Sequence, residues 1–122
     1  MKVSARNVFS GTVSAITPGS VNAEVLLSLP GGDQLVAIVT LASVTTLGLA
    51  VGQPAIALVK APWVILLTDA GDVRFSARNQ LTGTVSALQP GAVNTEVALT
   101  LPGGTAVYAV ITNEASQELG LT

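Results

Sequence analysis

Short apolar, β-branched runs separated by turn residues dominate the chain. The runs cover residues 8–16, 25–29 and 35–40, and the residues that separate them are Pro18, Gly19, Pro30, Gly31 and Gly32. Runs of this length and composition between Pro and Gly favour strands over long helices. The pattern predicts three consecutive antiparallel strands.

The pattern changes after the third run. Residues 41–47 predict a short helical turn, with Thr40 or Ser43 available as its N-cap and Gly48 placed to end it. Residues 55–60 and 63–67 then predict one further strand, bent between the two runs because a proline there cannot donate to a ladder. Five short strands with one small helix before the last are typical of an OB-like barrel.

The whole pattern occurs twice, 72 positions apart. Residues 4–49 and 76–121 are identical at 25 of 46 positions, which indicates a tandem duplication. We therefore predict an all-β chain of tandem OB-like five-stranded barrels, each with one short helix. The first domain is expected over 1–69 and the second over 73–122, joined by a turn at 69–72. The second copy has no counterpart of residues 51–68, so we expect it to be C-terminally truncated and to lack its last strand.

Composition excludes several kinds of chemistry. The 122 residues contain no Cys and no His, carry a net charge of -2 and are only 3% aromatic. Thiol and imidazole catalysis are therefore absent, and no acid pair stands at a useful spacing, so an enzyme is not expected. The small negative charge and few aromatic residues argue against nucleic acid. Because there is neither an apolar run of about 20 residues nor a secretory signal, we expect no membrane partner and a cytoplasmic location.

The remaining polar chemistry favours anions. Strand periodicity places Ser4 and Arg6 on one face, where a hydroxyl and a guanidinium suit an oxyanion. An arginine paired with a surface carboxylate is the alternative. Thr40 and Ser43 stand at the start of the predicted helical turn, where simple capping competes with anion binding. Lys60 interrupts an apolar strand, either for an anionic partner or to protect a sheet edge.

Several dispersed motifs occur in a characteristic order. They are Ser-Ala-Arg-Asn, Gly-Thr-Val, Gly-x-Val-Asn-x-Glu-Val, Leu-Gly-Leu and Val-Lys-Ala-Pro-Trp-Val. Together they closely resemble molbindin, the Mop or TOBE-type molybdate-binding domain, and the duplicated layout resembles two-domain molbindins of the ModG type. The resemblance covers essentially the whole chain.

The resemblance implies a homotrimer that binds molybdate or tungstate between domains and subunits for cytoplasmic storage and homeostasis. No organic cofactor and no metal directly coordinated by side chains are implied. A sensing module that acts through a transporter or regulator partner is the alternative. The family's ligand set falls on Ser4, Arg6, Thr40, Ser43 and Lys60, and in the second copy on Ser76, Arg78 and Thr112, with Ser116 replacing the hydroxyl lost at Ala115.

A small unit cannot surround a tetrahedral ion by itself. We therefore expect Ser4 and Arg6 to come from one unit and Thr40, Ser43 and Lys60 from its neighbour. Glu24 has no acidic neighbour at a useful spacing, so its replacement by glutamine is expected to change binding little.

Overall fold

The computed structural model describes residues 1–69 and 71–122 and contains seven strands and two short helices. The elements of the first unit are β1 (Asn7–Pro18), β2 (Asn22–Ser28), β3 (Gln34–Thr40), α1 (Leu41–Leu47) and β4 (Pro54–Val59). The elements of the second unit are β5 (Thr84–Pro90), β6 (Asn94–Thr100), β7 (Ala106–Thr112) and α2 (Asn113–Glu118). The all-β prediction is confirmed. Ala70, within the predicted turn at 69–72, lies outside the described residues.

The two units form two antiparallel sheets with the same local pattern. Their strand orders are β3-β2-β1-β4 and β5-β6-β7. Both first strands carry a bulge at the same repeat position, where Ser14 and Ser86 donate hydrogen bonds to carbonyls of the neighbouring strand. Because a bulge redirects the strand and its twist, the shared bulge shows that the duplication copied the backbone shape as well as the residues.

The described structure has fewer strands than predicted. Residues 63–67 form no strand, because the chain after β4 enters a 3-10 turn at Ala61–Trp63, closed by a 2.9 Å hydrogen bond from the Trp63 amide to the Lys60 carbonyl. Pro62 lies in the first turn, where its missing N–H costs nothing. The last predicted strand thus ends at Val59, and the first unit has four strands where the barrel was expected to have five.

The second unit also begins its first strand later. In the first unit, residues 7–12 pair with β4, whereas no strand occupies the equivalent place beside residues 79–83 in the described part of the second unit. A segment without a ladder partner has no reason to adopt strand structure, so β5 starts only at Thr84.

The first helix begins and ends as the sequence predicts, whereas α2 ends at Glu118, followed by Leu119 in a right-handed conformation. The Thr40 hydroxyl accepts a hydrogen bond from the Ser43 amide, and Gly48 ends α1 with the left-handed φ of 64°. Thr112 caps α2 in the same way. Neither helix is long or apolar enough to cross a membrane, and no other helix in the described ranges is.

The hydrophobic core is shared between the units. Its first-unit members are Phe9, Leu27, Leu29 and Leu35, and its second-unit members are Leu101 and Val107. The turn at Ala61–Trp63 also packs against β7. A single small unit buries too little apolar surface to be stable alone, and this common core pairs the two units.

The contact between the two units is called the seam here. The two Pro-Gly-Gly turns, at residues 30–32 and 102–104, meet at this seam. A Cβ added at Gly31 would overlap the backbone carbonyl of Gly103, and Gly31 has a φ of 86°. The Gly103 amide donates to the Asp33 carboxylate over 3.2 Å. Backbone therefore approaches backbone here, which only glycine permits.

Candidate oxyanion-binding site

Residues at or before the start of the first strand in each unit make hydrogen bonds to the opposite unit. The Asn7 side chain donates to the Tyr108 carbonyl over 2.8 Å and accepts from the Tyr108 amide over 2.7 Å. Asn79 makes the same two bonds, both 2.7 Å, with Val36. Since Val36 and Tyr108 are equivalent in the repeat, the exchange is reciprocal, as at a two-fold interface.

The neighbouring arginines cross the seam in the same way. Arg6 donates to Glu96 over 3.2 Å, and Arg78 donates two bonds, of 2.8 and 3.2 Å, to Glu24. Arg6 also lies 3.7 Å above the centroid of the Tyr108 ring. The hydrogen bond with Glu96 raises the pKa of Arg6 above its usual value, so this guanidinium stays charged.

Register shows where the Arg6 segment leads. Glu96 on β6 pairs with Val110 on β7. Tyr108, to which Asn7 is hydrogen-bonded, lies two positions before Val110. Arg6 precedes Asn7 and contacts Glu96, so the segment runs beside β7 from Tyr108 toward Thr112 as it is followed back from Asn7 to Arg6. Alternate residues of a strand share a face and stand about 7 Å apart, so Arg6 of the first unit and Thr112 of the second belong to one surface.

The Arg78 segment follows the equivalent path on the other unit. Glu24 on β2 pairs with Ile38 on β3, and Asn79 is anchored two positions before Ile38. Arg78 of the second unit is thus directed along β3 toward Thr40 of the first. In both units, the register thus directs an arginine of one unit along the edge strand of the other, toward the threonine that caps its helix.

The hydroxyl groups of the two surfaces differ. The Thr40 hydroxyl accepts from the Ser43 amide over 3.0 Å and donates to the Ser43 hydroxyl over 2.8 Å. Thr112 accepts from the Ala115 amide over 3.0 Å, and Ser116 is the next residue of α2. Capping is therefore one role of both threonines, and the first unit adds a second hydroxyl beside its cap.

Lys60 and Ser4 lie at the same cavity. Both line a surface cavity of about 410 Å³ together with Val3, Ala5, Leu58 and Trp63. Arg6 lines a different cavity, of about 340 Å³, with Tyr108. Ser4, Arg6 and Lys60 thus come from one unit, and the turn that follows Lys60 packs against β7 of the other.

These placements regroup the predicted ligands. Register directs Arg78 along β3 toward Thr40, and Arg6 along β7 toward Thr112. Ser76 lies exposed in the irregular segment before β5. The described residues do not bring all five ligands predicted for the first copy into one cavity.

Sequence reasoning missed the groups that hold the arginines. Glu24, Glu96 and Tyr108 lie 54 to 102 positions from their arginine partners. Glu24 and Glu96 are equivalent in the repeated Asn-x-Glu-Val, as are Arg6 and Arg78 in Ser-Ala-Arg-Asn. Reciprocal pairing of these two repeated motifs is the signal that could have found them.

Comparison with known proteins identifies the family of the chain. Residues 3–66 and 76–122 match the TOBE domain. The chain belongs to the TOBE domain family. Its solved relatives include the cytoplasmic molybdate-binding protein ModG, crystallised with molybdate bound, which is 58% identical with a TM-score of 0.93 over all of this chain and 86% of that one. This match confirms both the fold class and the resemblance to two-domain molbindins.

Several curated relatives align with nearly the whole of this chain. The molybdenum transport protein ModE of Herbaspirillum seropedicae is 46% identical over 99% of this chain and 45% of its own length. The molybdenum-pterin-binding protein MopA of Rhodobacter capsulatus is 45% identical over 99% and 46%. Other relatives are named transcriptional regulators, one of them DNA-binding. The chain spans less than half the length of these curated relatives.

Proposed function

We propose that this chain binds molybdate or tungstate for storage and homeostasis in the cytoplasm, without catalysis, as part of a homotrimer. The single observation that carries the proposal is the reciprocal crossing of each repeated arginine to a glutamate of the other unit, on a strand face that leads toward that unit's capping threonine. The 58% identity to a molybdate-bound protein over the full chain supports the same ligand.

The proposed sites are regrouped across the seam. One takes Ser76 and Arg78 with Thr40 and Ser43. The other takes Arg6 with Thr112 and Ser116, while Ser4 and Lys60 line a separate cavity. The boundaries at 1–69 and 73–122 stay a proposal, because the units share one core.

The chemistry suits a tetrahedral dianion. A guanidinium has five N–H donors, yet Arg6 uses one and Arg78 two in the hydrogen bonds to their glutamates. Both side chains are more than half exposed, at 51% and 62%, so donors remain for an anion. Charge-assisted bonds from arginine together with hydroxyl donors offset the cost of removing a dianion from water.

Ligand binding is expected to raise thermal stability. Molybdate at about 100 times its dissociation constant should stabilise the folded chain by about 2.7 kcal/mol, because it binds the folded state alone. The measurement is thermal unfolding in phosphate-free buffer, with sodium chloride of equal ionic strength as the control. Native mass spectrometry of the same sample should show the added oxyanion masses and the oligomeric state. An unchanged melting temperature and an unchanged mass would contradict the proposed function.

Each arginine is expected to contribute strongly to affinity. Arg6→Ala and Arg78→Ala should each weaken molybdate binding at their own site by about 10- to 100-fold, because each removes charge-assisted hydrogen bonds. Isothermal titration calorimetry measures the loss. Arg74→Ala is the matched control, since Arg74 lies exposed in the segment between the units and its removal changes net charge equally. The fold should survive because exposed ion pairs contribute little stability. Equal affinity in all three variants would place the ligand elsewhere.

A sensing role is the second candidate, favoured by the relatives named as transcriptional regulators. It differs from storage by requiring a partner protein. Purification of the tagged full chain from a molybdate-replete extract should recover a free oligomer if storage is its role. Stoichiometric recovery of one partner that depends on molybdate would favour sensing.

A further inference from the structure

The two seam glutamates, Glu24 and Glu96, occupy some of the guanidinium donors that an oxyanion could use. Glu24 bonds two nitrogens of Arg78, and Glu96 bonds one nitrogen of Arg6. In these pairs a carboxylate takes the place of an anionic guest on each guanidinium. The sequence predicted little effect from replacing Glu24, but its ion pair with Arg78 changes that expectation.

We propose that Glu24 and Glu96 are resident competitor anions that lower the affinity of the seam sites and speed the release of the bound oxyanion. The inference rests on the proposed function. With the site empty, each carboxylate forms an ion pair with its arginine and neutralises it. An arriving dianion either displaces the carboxylate or binds beside it against charge repulsion, and both routes weaken binding.

A positioning role is the rival explanation, and the Arg6 site distinguishes the two. The Tyr108 ring holds the Arg6 guanidinium from one side, and the paired bonds of Asn7 hold the adjacent backbone. Glu96 adds only one hydrogen bond, of 3.2 Å. Arg6 therefore keeps its place without the charge on Glu96, and competition is the main effect left to the carboxylate.

Partial exposure of the two glutamates permits a bound oxyanion to take the place of each carboxylate. The side chains of Glu24 and Glu96 are 35% and 31% exposed, so each carboxylate can turn toward water when an oxyanion takes its place. Glutamine at either position keeps the side-chain shape and one acceptor oxygen while it removes the negative charge.

The test compares the full chain with the Glu24→Gln/Glu96→Gln double variant. We expect molybdate affinity to rise about three- to tenfold, because an exposed pair is a weak but charged competitor. Most of this gain should appear as slower release of molybdate in a chase with excess tungstate. Asp72→Asn/Glu118→Gln is the control, since it removes two acidic charges outside the seam pairs and should leave both quantities unchanged.

The single variant Glu96→Gln should raise molybdate affinity at the Arg6 site without the change at Glu24. Circular dichroism of each variant confirms that it is folded. Unchanged or weaker binding in both Glu96→Gln and the double variant would overturn the inference and assign the glutamates to arginine positioning. A similar gain in the control variant would also overturn it, because net charge alone would then explain the effect. Failure of the unmodified chain to bind molybdate would instead refute the proposed function.

Discussion

Gly31→Ala is expected to lower the free energy of unfolding by about 3 kcal/mol. A left-handed φ of 86° costs an alanine about 1 to 2 kcal/mol. In addition, the new Cβ would overlap the carbonyl of Gly103 in the opposite turn, and overpacking of this kind costs about 1 to 3 kcal/mol. A backbone carbonyl cannot turn aside as a flexible side chain can, so the two Pro-Gly-Gly turns must separate. Urea unfolding followed by circular dichroism measures the loss.

Gly32→Ala provides the matched control. Gly32 has a similar φ of 98°, but a Cβ there would have no heavy atom within 4 Å. Only the conformational cost of about 1 to 2 kcal/mol is expected. The difference between the two variants therefore isolates the contact between the turns. If both lost the same stability, the close approach across the seam would make no contribution.

The seam links stability to binding. Each proposed site takes its arginine from one unit and its capping threonine from the other, so a shift between the units changes the separation of the donors. The shared core and the asparagine anchors hold that separation fixed. We infer that a substitution at the seam affects affinity even where it touches neither arginine nor hydroxyl.

Local features of the fold followed from the sequence. Turn residues bounded the first three strands, and Thr40 and Gly48 marked the ends of α1, because each acts through neighbours within a few positions. The duplication extended the same elements to the second unit. Residues 63–67 were wrongly predicted as a strand because their apolar pattern suits a ladder, whereas Pro62 favours the 3-10 turn that forms before them.

Contacts between the units did not follow from local pattern. Nothing near Arg6 in the sequence indicates that Glu96 and Tyr108 hold it, since these partners lie 90 and 102 positions away. Periodicity predicted Ser4 and Arg6 on one face of a strand, but Arg6 lies in a bend just before β1, and the two residues line different cavities. Burial of the common core determines how the sheets pack, and that packing brings the partners together.

Asn7→Ala is expected to lower the free energy of unfolding by about 3 kcal/mol. Asn7 is only 1% exposed, and its amide satisfies both backbone groups of Tyr108 on the open edge of β7. Alanine would leave an N–H and a carbonyl without partners in a partly buried place, at about 1 to 3 kcal/mol for each group. Denaturant unfolding measures the stability, and hydrogen exchange should show faster exchange of the Tyr108 amide.

Asn79→Ala separates this burial effect from the hydrogen bonds themselves. Asn79 makes the same two bonds with Val36 but is exposed, so water can replace its amide and the expected loss is below about 1 kcal/mol. A repeat with one buried and one exposed copy of the same contact thus measures the contribution of burial within a single chain. Equal losses at the two positions would mean that the sheet edges, and not their burial, determine the cost.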